Sequence, residues 1–509
     1  MSFFKKIVSF SAFTFISRIF GLVRDTVIAY KVGAGFGSDI FFVAVRAPNF
    51  LRAIFAEGAF TQAFIPMYNK VLRRDKEASS KFANNVYFIL LVIVIITVVV
   101  LEIFMDKFMF LFAPGFANDP EKFTHLVLIS RIIFPYLIFI SICCLFSAIL
   151  NSYHKYTPTA IVPIITNIFL ISSVFLLFDY TQDHILSLAL AFVSAGVVQI
   201  IYLIYHLRKI NQRLQPKYTS ITSDEKQFFR KILPAIIGAS VVQLNLWIDT
   251  IFASLMDNVV SYYNYSERMI NLPVALIVTS ITIVLLPSLT QAIQSDNQED
   301  IKKYNKKSMH LSLALVLPSA IGLYFLANPI IYTLFTRGAF TLDATANTAL
   351  ILQALAFYLP PVCMMRIINT NFFARSNTTT PMRIAFVLMV LNILFNFVFV
   401  QLFSFVGIAI ATSLVSWIGV FISLYIIGKK HENLFEFSAN IRFYLNLIIS
   451  VIIMAIVIIL LRDKLFAEFN LSEISKIINL FIIIAFGAAS YLVTNILLFG
   501  SIKKFQTYF

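Results

Sequence analysis

Long apolar runs follow one another along the whole chain and constrain its fold more than any other feature. Among 509 residues, 59% are hydrophobic and 13% are charged, which is the composition of a polytopic membrane protein. A helical span requires about 20 apolar residues, since the bilayer interior offers its backbone no hydrogen-bond partners. The runs predict fourteen spans, near residues 2–32, 39–70, 82–112, 123–152, 157–179, 184–208, 227–256, 260–292, 308–336, 343–374, 380–401, 405–428, 440–462 and 474–501.

The distribution of positive charge predicts the orientation of these spans. Alternate loops are rich in Lys and Arg, at 70–81, 206–231, 302–307 and 429–430, whereas the loops between them carry few. Basic loops face the cytoplasm, so both termini are predicted to be cytoplasmic. The net charge of +15 therefore reflects topology and contact with anionic membrane lipids. Binding of nucleic acid is not expected, because it would require a soluble basic face.

Four arginines lie inside stretches that otherwise read as membrane-spanning helix. They are Arg18, Arg24, Arg52 and Arg268. An arginine at the bilayer centre costs about 3 kcal/mol, so four facing lipid would cost on the order of 12 kcal/mol. A shared water-filled cavity that receives an anion avoids this cost, and the planar guanidinium suits phosphate or pyrophosphate. The alternative is structural ion pairing with nearby acids, which are Asp25, Asp39, Glu57 and Glu267.

The second predicted span adds polar groups to this cluster. Arg46, Asn49 and Arg52 are spaced by three residues and are predicted to share a helix face. Pro48 here, and Pro273 in the eighth span, are expected to kink their helices where a cavity is lined. The roles of Arg46 and Arg366 stay open between substrate contact and structure.

A sparser polar set indicates a cation site. Asp249 lies in the seventh span, Asn392 and Asn396 are four apart in the eleventh, and Thr412 lies in the twelfth. One carboxylate with amide and hydroxyl oxygens forms a hard ligand set that suits Na⁺. The alternative is that the two asparagines form hydrogen bonds that hold neighbouring helices together.

The chain contains an internal duplication with an offset of about 223 residues. LFAPGFANDPEKFTHL from Leu111 matches LFTRGAFTLDATANTAL from Leu334, and VRDTVIA matches WIDTIFA, which pairs Asp25 with Asp249. Each copy holds six spans, an even number, so the copies should be related by a pseudo-two-fold axis along the membrane normal. The prediction is an all-α membrane protein with two six-helix lobes, 1–210 and 225–430, followed by two further helices within 438–509.

No catalytic motif accompanies this architecture. The sequence has no phosphate-binding GxxxxGK[ST] loop, no HExxH motif and no His/Cys metal spacing. The three cysteines, Cys143, Cys144 and Cys363, lie in apolar spans and read as small core residues. The chain is therefore predicted to be a transporter rather than an enzyme.

At these residues the chain resembles the MurJ/MviN lipid II flippases of the MOP exporter superfamily. The most specific stretch is 18–66, with SRIFGLVRDTVIA and SDIFFVAVRAPNFLRAIFAEGAFTQAFIP, and LFAPGF adds to it. The resemblance implies that lipid II, a polyprenyl-pyrophosphate-linked peptidoglycan precursor, moves from the cytoplasmic to the periplasmic leaflet of the bacterial inner membrane. It also implies the substrate-binding and sodium-binding residues, and these are Arg18, Arg24, Arg52, Arg268, Asp25, Asp39 and Asn49 for the substrate and Asp249, Asn392, Asn396 and Thr412 for Na⁺.

The expected mechanism is alternating access by a monomer. Its driving force would be the membrane potential, with Na⁺ as the only candidate bound ion, and cell-wall synthesis proteins as candidate partners. The last two helices would shape a groove for the lipid tail. The alternatives are export of another polyprenyl-linked glycan and a MATE-like drug or ion antiporter, although a drug exporter should carry acids in its cavity. A membrane-embedded glycosyltransferase would need catalytic carboxylates and a sizeable outer domain.

Overall fold

The computed structural model describes residues 3–55, 59–181, 183–220, 222–430, 434–435, 441–467 and 472–500. All regular secondary structure within these ranges is helical, as the apolar runs predict. The first ten helices are α1 (Phe3–Val32), α2 (Phe36–Phe55), α3 (Ala59–Arg74), α4 (Lys76–Ile103), α5 (Met105–Phe112), α6 (Pro120–Ile133), α7 (Tyr136–Ser152), α8 (Tyr156–Leu176), α9 (His184–Lys209) and α10 (Ser223–Ser254).

Ten more helices follow in the second part of the chain. They are α11 (Val259–Pro273), α12 (Thr279–Gln294), α13 (Gln298–Phe325), α14 (Ala327–Leu334), α15 (Leu342–Ala356), α16 (Leu359–Ala374), α17 (Thr379–Phe403), α18 (Val406–Lys430), α19 (Ile441–Leu465) and α20 (Glu473–Phe499). A short 3₁₀ segment, Pro114–Asn118, precedes α6. A π-helical turn, Val274–Val278, follows Pro273, so the helix is irregular where that proline was expected to disturb it.

Eleven helical segments within the described residues are long and apolar enough to cross a membrane. They correspond to eleven of the fourteen predicted spans. The other three predicted spans are 2–32, 39–70 and 227–256, which correspond to α1, to α2 with α3, and to α10. These helices contain Arg18, Arg24, Arg52 and Asp249, which are four of the candidate site residues.

The order and bounds of the helices repeat at the offset found in the sequence. The short helix α5 begins at Met105 and α14 begins at Ala327, 222 residues later. Asp119 caps the amino terminus of α6, and Thr341, again 222 residues later, caps α15. Left-handed residues end α7 and α16, with φ of 57° at His154 and 58° at Ser376. The duplication therefore extends to helix lengths, caps and turns.

The chain divides into two compact units, residues 1–261 and 262–509. In the first unit, α1 packs along α8, and α10 packs against α2 and α3. In the second unit, α17 packs on α18, and the last pair, α19 and α20, packs on α13. Helix α10 is the first helix of the second repeat, yet it belongs to the first unit. The boundary between units thus lies one helix later than the boundary between repeats.

Candidate functional site

Arg24 is held in a defined position within α1. Its Nη2 lies 2.6 Å from Oδ1 of Asp25, and its Nη1 donates to Oδ1 of Asn167 on α8 at 3.0 Å. The Arg24 side chain is 15% exposed, and that of Asp25 is 1% exposed. Nδ2 of Asn167 in turn donates to the backbone carbonyl of Ser17 at 3.4 Å. Asp25 and Asn167 together orient a guanidinium that keeps part of its surface accessible.

The polar residues of α2 contact different neighbours. Nη1 of Arg46 donates to Oγ1 of Thr250 on α10 at 2.8 Å. Asn49 donates to the carbonyl of Val45 in its own helix at 2.9 Å. Arg52 lies three residues beyond Asn49, in the last turn of α2, and is partly buried. The shared face predicted for Arg46, Asn49 and Arg52 is thus only approximate, because each three-residue step falls about 60° short of a full helical turn.

The other two predicted arginines are exposed in the structure. Arg18 lies on α1 in the first unit, and Arg268 lies on α11 in the second. Arg366 on α16 is also exposed, and Glu267 is partly buried. Glu57 lies outside the described residues. The first unit therefore brings Arg24, Asp25 and Asn167 into direct contact, and Arg268 belongs to the other unit.

Asp39 is the centre of a buried polar group that we call the helix-end cluster, which consists of Ser38, Asp39, Lys122, Asn258 and Ser261. Nζ of Lys122 lies 2.9 Å from Oδ2 of Asp39, and the two side chains are 6% and 0% exposed. Asp39 also accepts from the backbone N–H of Ser261 at 2.9 Å, from its hydroxyl at 2.5 Å, and from N–H of Asn258 at 3.2 Å. Asp39 was predicted to bind substrate, but here its carboxylate is engaged by protein donors.

Two further contacts strengthen this end of the first unit. The ammonium of Lys122 lies 4.1 Å from the ring centroid of Phe116. Beside it, the backbone N–H of Gly115 donates to the hydroxyl of Ser254 at 3.1 Å. A Cβ at residue 115 would lie 2.1 Å from the carbonyl oxygen of Ser254, so this approach requires glycine. The LFAPGF motif therefore owes its glycine to the close contact with the end of α10.

The predicted sodium ligands are all buried. Asp249 lies on α10 in the first unit, and Asn392, Asn396 and Thr412 lie on α17 and α18 in the second. Helix α17 has 12 exposed residues among 25, and its described buried residues are Ile384, Asn392 and Asn396. Two of these three buried side chains are therefore polar. Among the described residues, no group of three or more His, Cys, Asp and Glu side chains could hold a metal.

Two of the residues that build these contacts were missed by the sequence reasoning. Lys122 follows a loop, and nothing in the local sequence distinguishes it from a solvated lysine. Asn167 is a polar residue within the apolar run of α8, and such a residue near the bilayer centre could have been noted as a helix-to-helix contact. The partner of Lys122 is Asp39, and the partner of Asn167 is Arg24. Both partners are distant in sequence.

An all-helical fold in which eleven described segments are long and apolar enough to cross a membrane defines a polytopic helical membrane protein. Among solved structures, an inward-facing multidrug MATE transporter of the MOP superfamily matches with a TM-score of 0.67 at 14% identity, covering 84% of this chain and 99% of its own. A structure described as "Lipid II flippase MurJ, inward closed conformation" matches with a TM-score of 0.81 at 27% identity, covering 97% of this chain and 99% of its own.

The family model described as "Lipid II flippase MurJ" matches residues 28–481. Two relatives are described as "Probable lipid II flippase MurJ". The one from Rickettsia prowazekii (strain Madrid E) is 31% identical over 96% of this chain and 97% of its own length. The one from Buchnera aphidicola subsp. Baizongia pistaciae (strain Bp) is 32% identical over 97% and 96%. The chain belongs to the MurJ lipid II flippase family, which is a family of transporters and not of enzymes.

Proposed function

We propose that this protein moves lipid II from the cytoplasmic to the periplasmic leaflet of a bacterial inner membrane. The observation that carries the proposal is the anchored guanidinium of Arg24, 15% exposed between Asp25 and Asn167, in a chain of the MurJ family. The lipid tail can stay in the bilayer, but a pyrophosphate with its sugars and peptide needs a polar route. A fixed arginine offers that head group a bidentate partner without the desolvation cost of a lipid-facing charge.

In this proposal, Arg18, Arg24, Arg52 and Arg268 bind the pyrophosphate from the cytoplasmic side. Asp25 positions Arg24 rather than contacts the anion, since a carboxylate would repel it. Asn49, whose amide donates to the carbonyl of Val45, stays a proposed substrate contact. The two repeats then rock about a pseudo-two-fold axis and expose the site outside. Within the first unit, the hydroxyl of Ser38 in the first repeat lies 3.0 Å from the hydroxyl of Ser261 in the second repeat, so the beginnings of α2 and α11 meet there.

The helix-end cluster would hold the periplasmic side of the transporter closed during part of this cycle. By the positive-inside rule, the turns beside Asp39, Lys122 and Asn258 face the periplasm, and both termini face the cytoplasm. Opening the outer side would separate Asp39 from the donors of Ser261 and Asn258. Asp39 therefore contributes by holding the closed state, and this differs from the direct substrate contact suggested by the sequence.

A membrane potential that is negative inside favours outward movement of an anion by about 2.3 kcal/mol per charge per 100 mV. We also propose that Asp249, Asn392, Asn396 and Thr412 hold a Na⁺ ion that biases the conformational equilibrium. The buried polar stripe of α17 supports this role. Sodium-dependent protection against thermal unfolding, lost in Asp249→Asn, would test it. Equal protection by Na⁺ and K⁺ would contradict the site.

The decisive experiment measures lipid II in each leaflet of cells depleted of the native protein and supplied with variants. Arg24→Glu and Arg268→Glu should leave lipid II in the inner leaflet despite normal synthesis. The matched control is Arg131→Gln, because Arg131 is an exposed arginine of the spanning helix α6. If both charge-reversed variants showed the wild-type amount of lipid II in the outer leaflet, the proposal would be refuted. A polyprenyl-linked glycan without a peptide, tested as competitor, distinguishes the alternative substrate.

A further inference from the structure

One face of α10 carries polar and aromatic side chains where a lipid-facing helix would be apolar. Gln243, Trp247 and Thr250 are spaced by four and three residues, so they share this face. Gln243 and Trp247 are partly buried, and Thr250 is fully buried. The hydroxyl of Thr250 accepts the hydrogen bond of Arg46 on α2 at 2.8 Å. Because polar groups inside the membrane face protein or a polar route, this face of α10 does not read as a lipid contact.

The indole of Trp247 is braced by two phenylalanine rings of the first unit. It is stacked on the ring of Phe112, with the centroids 5.4 Å apart and the planes at 16°. The ring of Phe50 on α2 meets the indole edge-on, with a centroid distance of 5.4 Å and an angle of 60°. Phe112 is 1% exposed, whereas Trp247 and Phe50 are only partly buried. Since Phe112 covers one face of the indole, the accessible surface of Trp247 lies on the opposite face and the edges.

The indole N–H is a donor that the protein itself does not use. Nε1 of Trp247 is buried and has no hydrogen-bond partner among the described residues. A buried tryptophan normally places its N–H on an acceptor, because an unsatisfied buried donor is unfavourable. A phenylalanine would pack between Phe50 and Phe112 without leaving such a donor. Packing alone therefore does not account for an indole at this position.

The aromatic pair lies beside residues of the proposed anion site. Phe50 directly follows Asn49 and is one helical turn from Arg46 along α2. In lipid II the first sugar is bonded to the pyrophosphate, so it must lie next to the groups that bind the anion. The negative face of an aromatic ring attracts the weakly positive C–H groups on the apolar face of a sugar. An indole at this position has the chemistry to bind that sugar.

We propose that Trp247 binds the sugar of the head group and that Phe50 and Phe112 hold its indole in place. The accessible face of the indole stacks on the sugar bonded to the pyrophosphate. Substrate entry uncovers Nε1, which then donates to an oxygen of the sugar residues. The inference rests on the proposed function, because it assumes that arginines bind the pyrophosphate. It adds a contact that distinguishes a glycosylated lipid from the bare polyprenyl pyrophosphate, which the arginines alone do not.

The test titrates the full-length purified protein with lipid II and with undecaprenyl pyrophosphate, which carries the pyrophosphate and tail but no sugar. Trp247→Leu should weaken lipid II binding about ten-fold, the effect of one stacking contact and one hydrogen bond. It should leave the affinity for undecaprenyl pyrophosphate unchanged. Trp247→Phe keeps a stacking ring and should weaken lipid II binding only about three-fold. Equal losses for the two ligands would indicate a merely structural role and overturn the proposal.

The matched control is Trp417→Leu, because Trp417 is the other of the two tryptophans in the chain. Trp417 is also partly buried and lies beside a phenylalanine, with the ring centroids of Trp417 and Phe421 6.5 Å apart. Trp417→Leu should leave both affinities unchanged. A loss of lipid II affinity equal to that of Trp247→Leu would refute a specific role of Trp247.

A second measurement leaves Trp247 in place and decides the matter if Trp247→Leu does not fold. In Trp417→Phe, Trp247 is the single tryptophan, so the protein's indole fluorescence reports on this position. Lipid II should shift that emission and undecaprenyl pyrophosphate should not, and identical shifts or no shift would overturn the sugar contact. Arg24→Gln should weaken the binding of both ligands, because both carry the pyrophosphate. If Arg24→Gln binds both normally, the proposed function fails, and this result is distinct from a failure at Trp247.

Discussion

The buried ion pair between Asp39 and Lys122 makes the sharpest energetic prediction. The two side chains are 0% and 6% exposed, and their charged atoms are 2.9 Å apart. Removing one partner of such a pair leaves an uncompensated buried charge and costs about 3–5 kcal/mol. The two single substitutions should differ, because the residues left behind have different remaining partners.

After Lys122→Met, the Asp39 carboxylate keeps three donors, two from Ser261 and one from Asn258. The loss in free energy of unfolding for Lys122→Met should therefore lie near the lower end of that range, about 3 kcal/mol. After Asp39→Asn, the Lys122 ammonium stays buried against the ring of Phe116 at 4.1 Å. A cation–π contact contributes only about 1–2 kcal/mol. The loss in free energy of unfolding for Asp39→Asn should therefore lie near the upper end of the range, about 5 kcal/mol.

The free energy of unfolding of the purified protein in mixed micelles would measure these losses. The double variant Asp39→Asn/Lys122→Met should lose about 1–3 kcal/mol less than the sum of the single variants, since it leaves no buried charge. Lys107→Met is the matched control, because Lys107 is exposed and lies over the ring of Phe104 at 5.5 Å. Strict additivity of the two substitutions, or equal losses for Lys107 and Lys122, would refute the reasoning.

Three further predictions follow from particular contacts. Asn167→Leu removes the acceptor that orients Arg24 and should weaken lipid II binding about ten- to hundred-fold, since a hydrogen bond to a charged group contributes about 1.5–3 kcal/mol. Unchanged affinity in a titration would contradict this. Gly115→Ala should destabilise the protein by about 1–3 kcal/mol, because its Cβ would overlap the end of α10. Gly322→Ala, where nothing lies within 4 Å of the added Cβ, should not destabilise it. Backbone N–H groups of Ala78 and Glu77 lower the pKa of Asp75 below 3.8, so the capping contribution is present above that value and lost as the pH falls through the lowered pKa. The protection factors of the Glu77 and Ala78 amides, which correct for the intrinsic exchange rate, should fall in acid for the wild type, whereas in Asp75→Asn, which cannot titrate, they should not.

The sequence by itself determined the class of the protein and much of its architecture. Apolar runs of about 20 residues can only be satisfied as helices in a bilayer, because each span must close its own backbone hydrogen bonds. The duplication predicted the repeat of helix order, down to the caps at Asp119 and Thr341. Arg24 and Asp25 could be singled out as well, because a charge within an apolar run is visible without knowing what it contacts.

Only the tertiary structure decided which partners these charges take. Arg24 meets Asn167, which is 143 residues away, and Asp39 meets Lys122, 83 residues away. Such pairs depend on which helix faces pack together, and helical periodicity defines a face without naming its neighbour. The same limit applies to Arg46, whose contact with Thr250 on α10 could not be deduced from its position along α2. Composition and spacing thus located the polar residues, and helix packing assigned Asp39 to a buried ion pair and Arg24 to a held, partly accessible position.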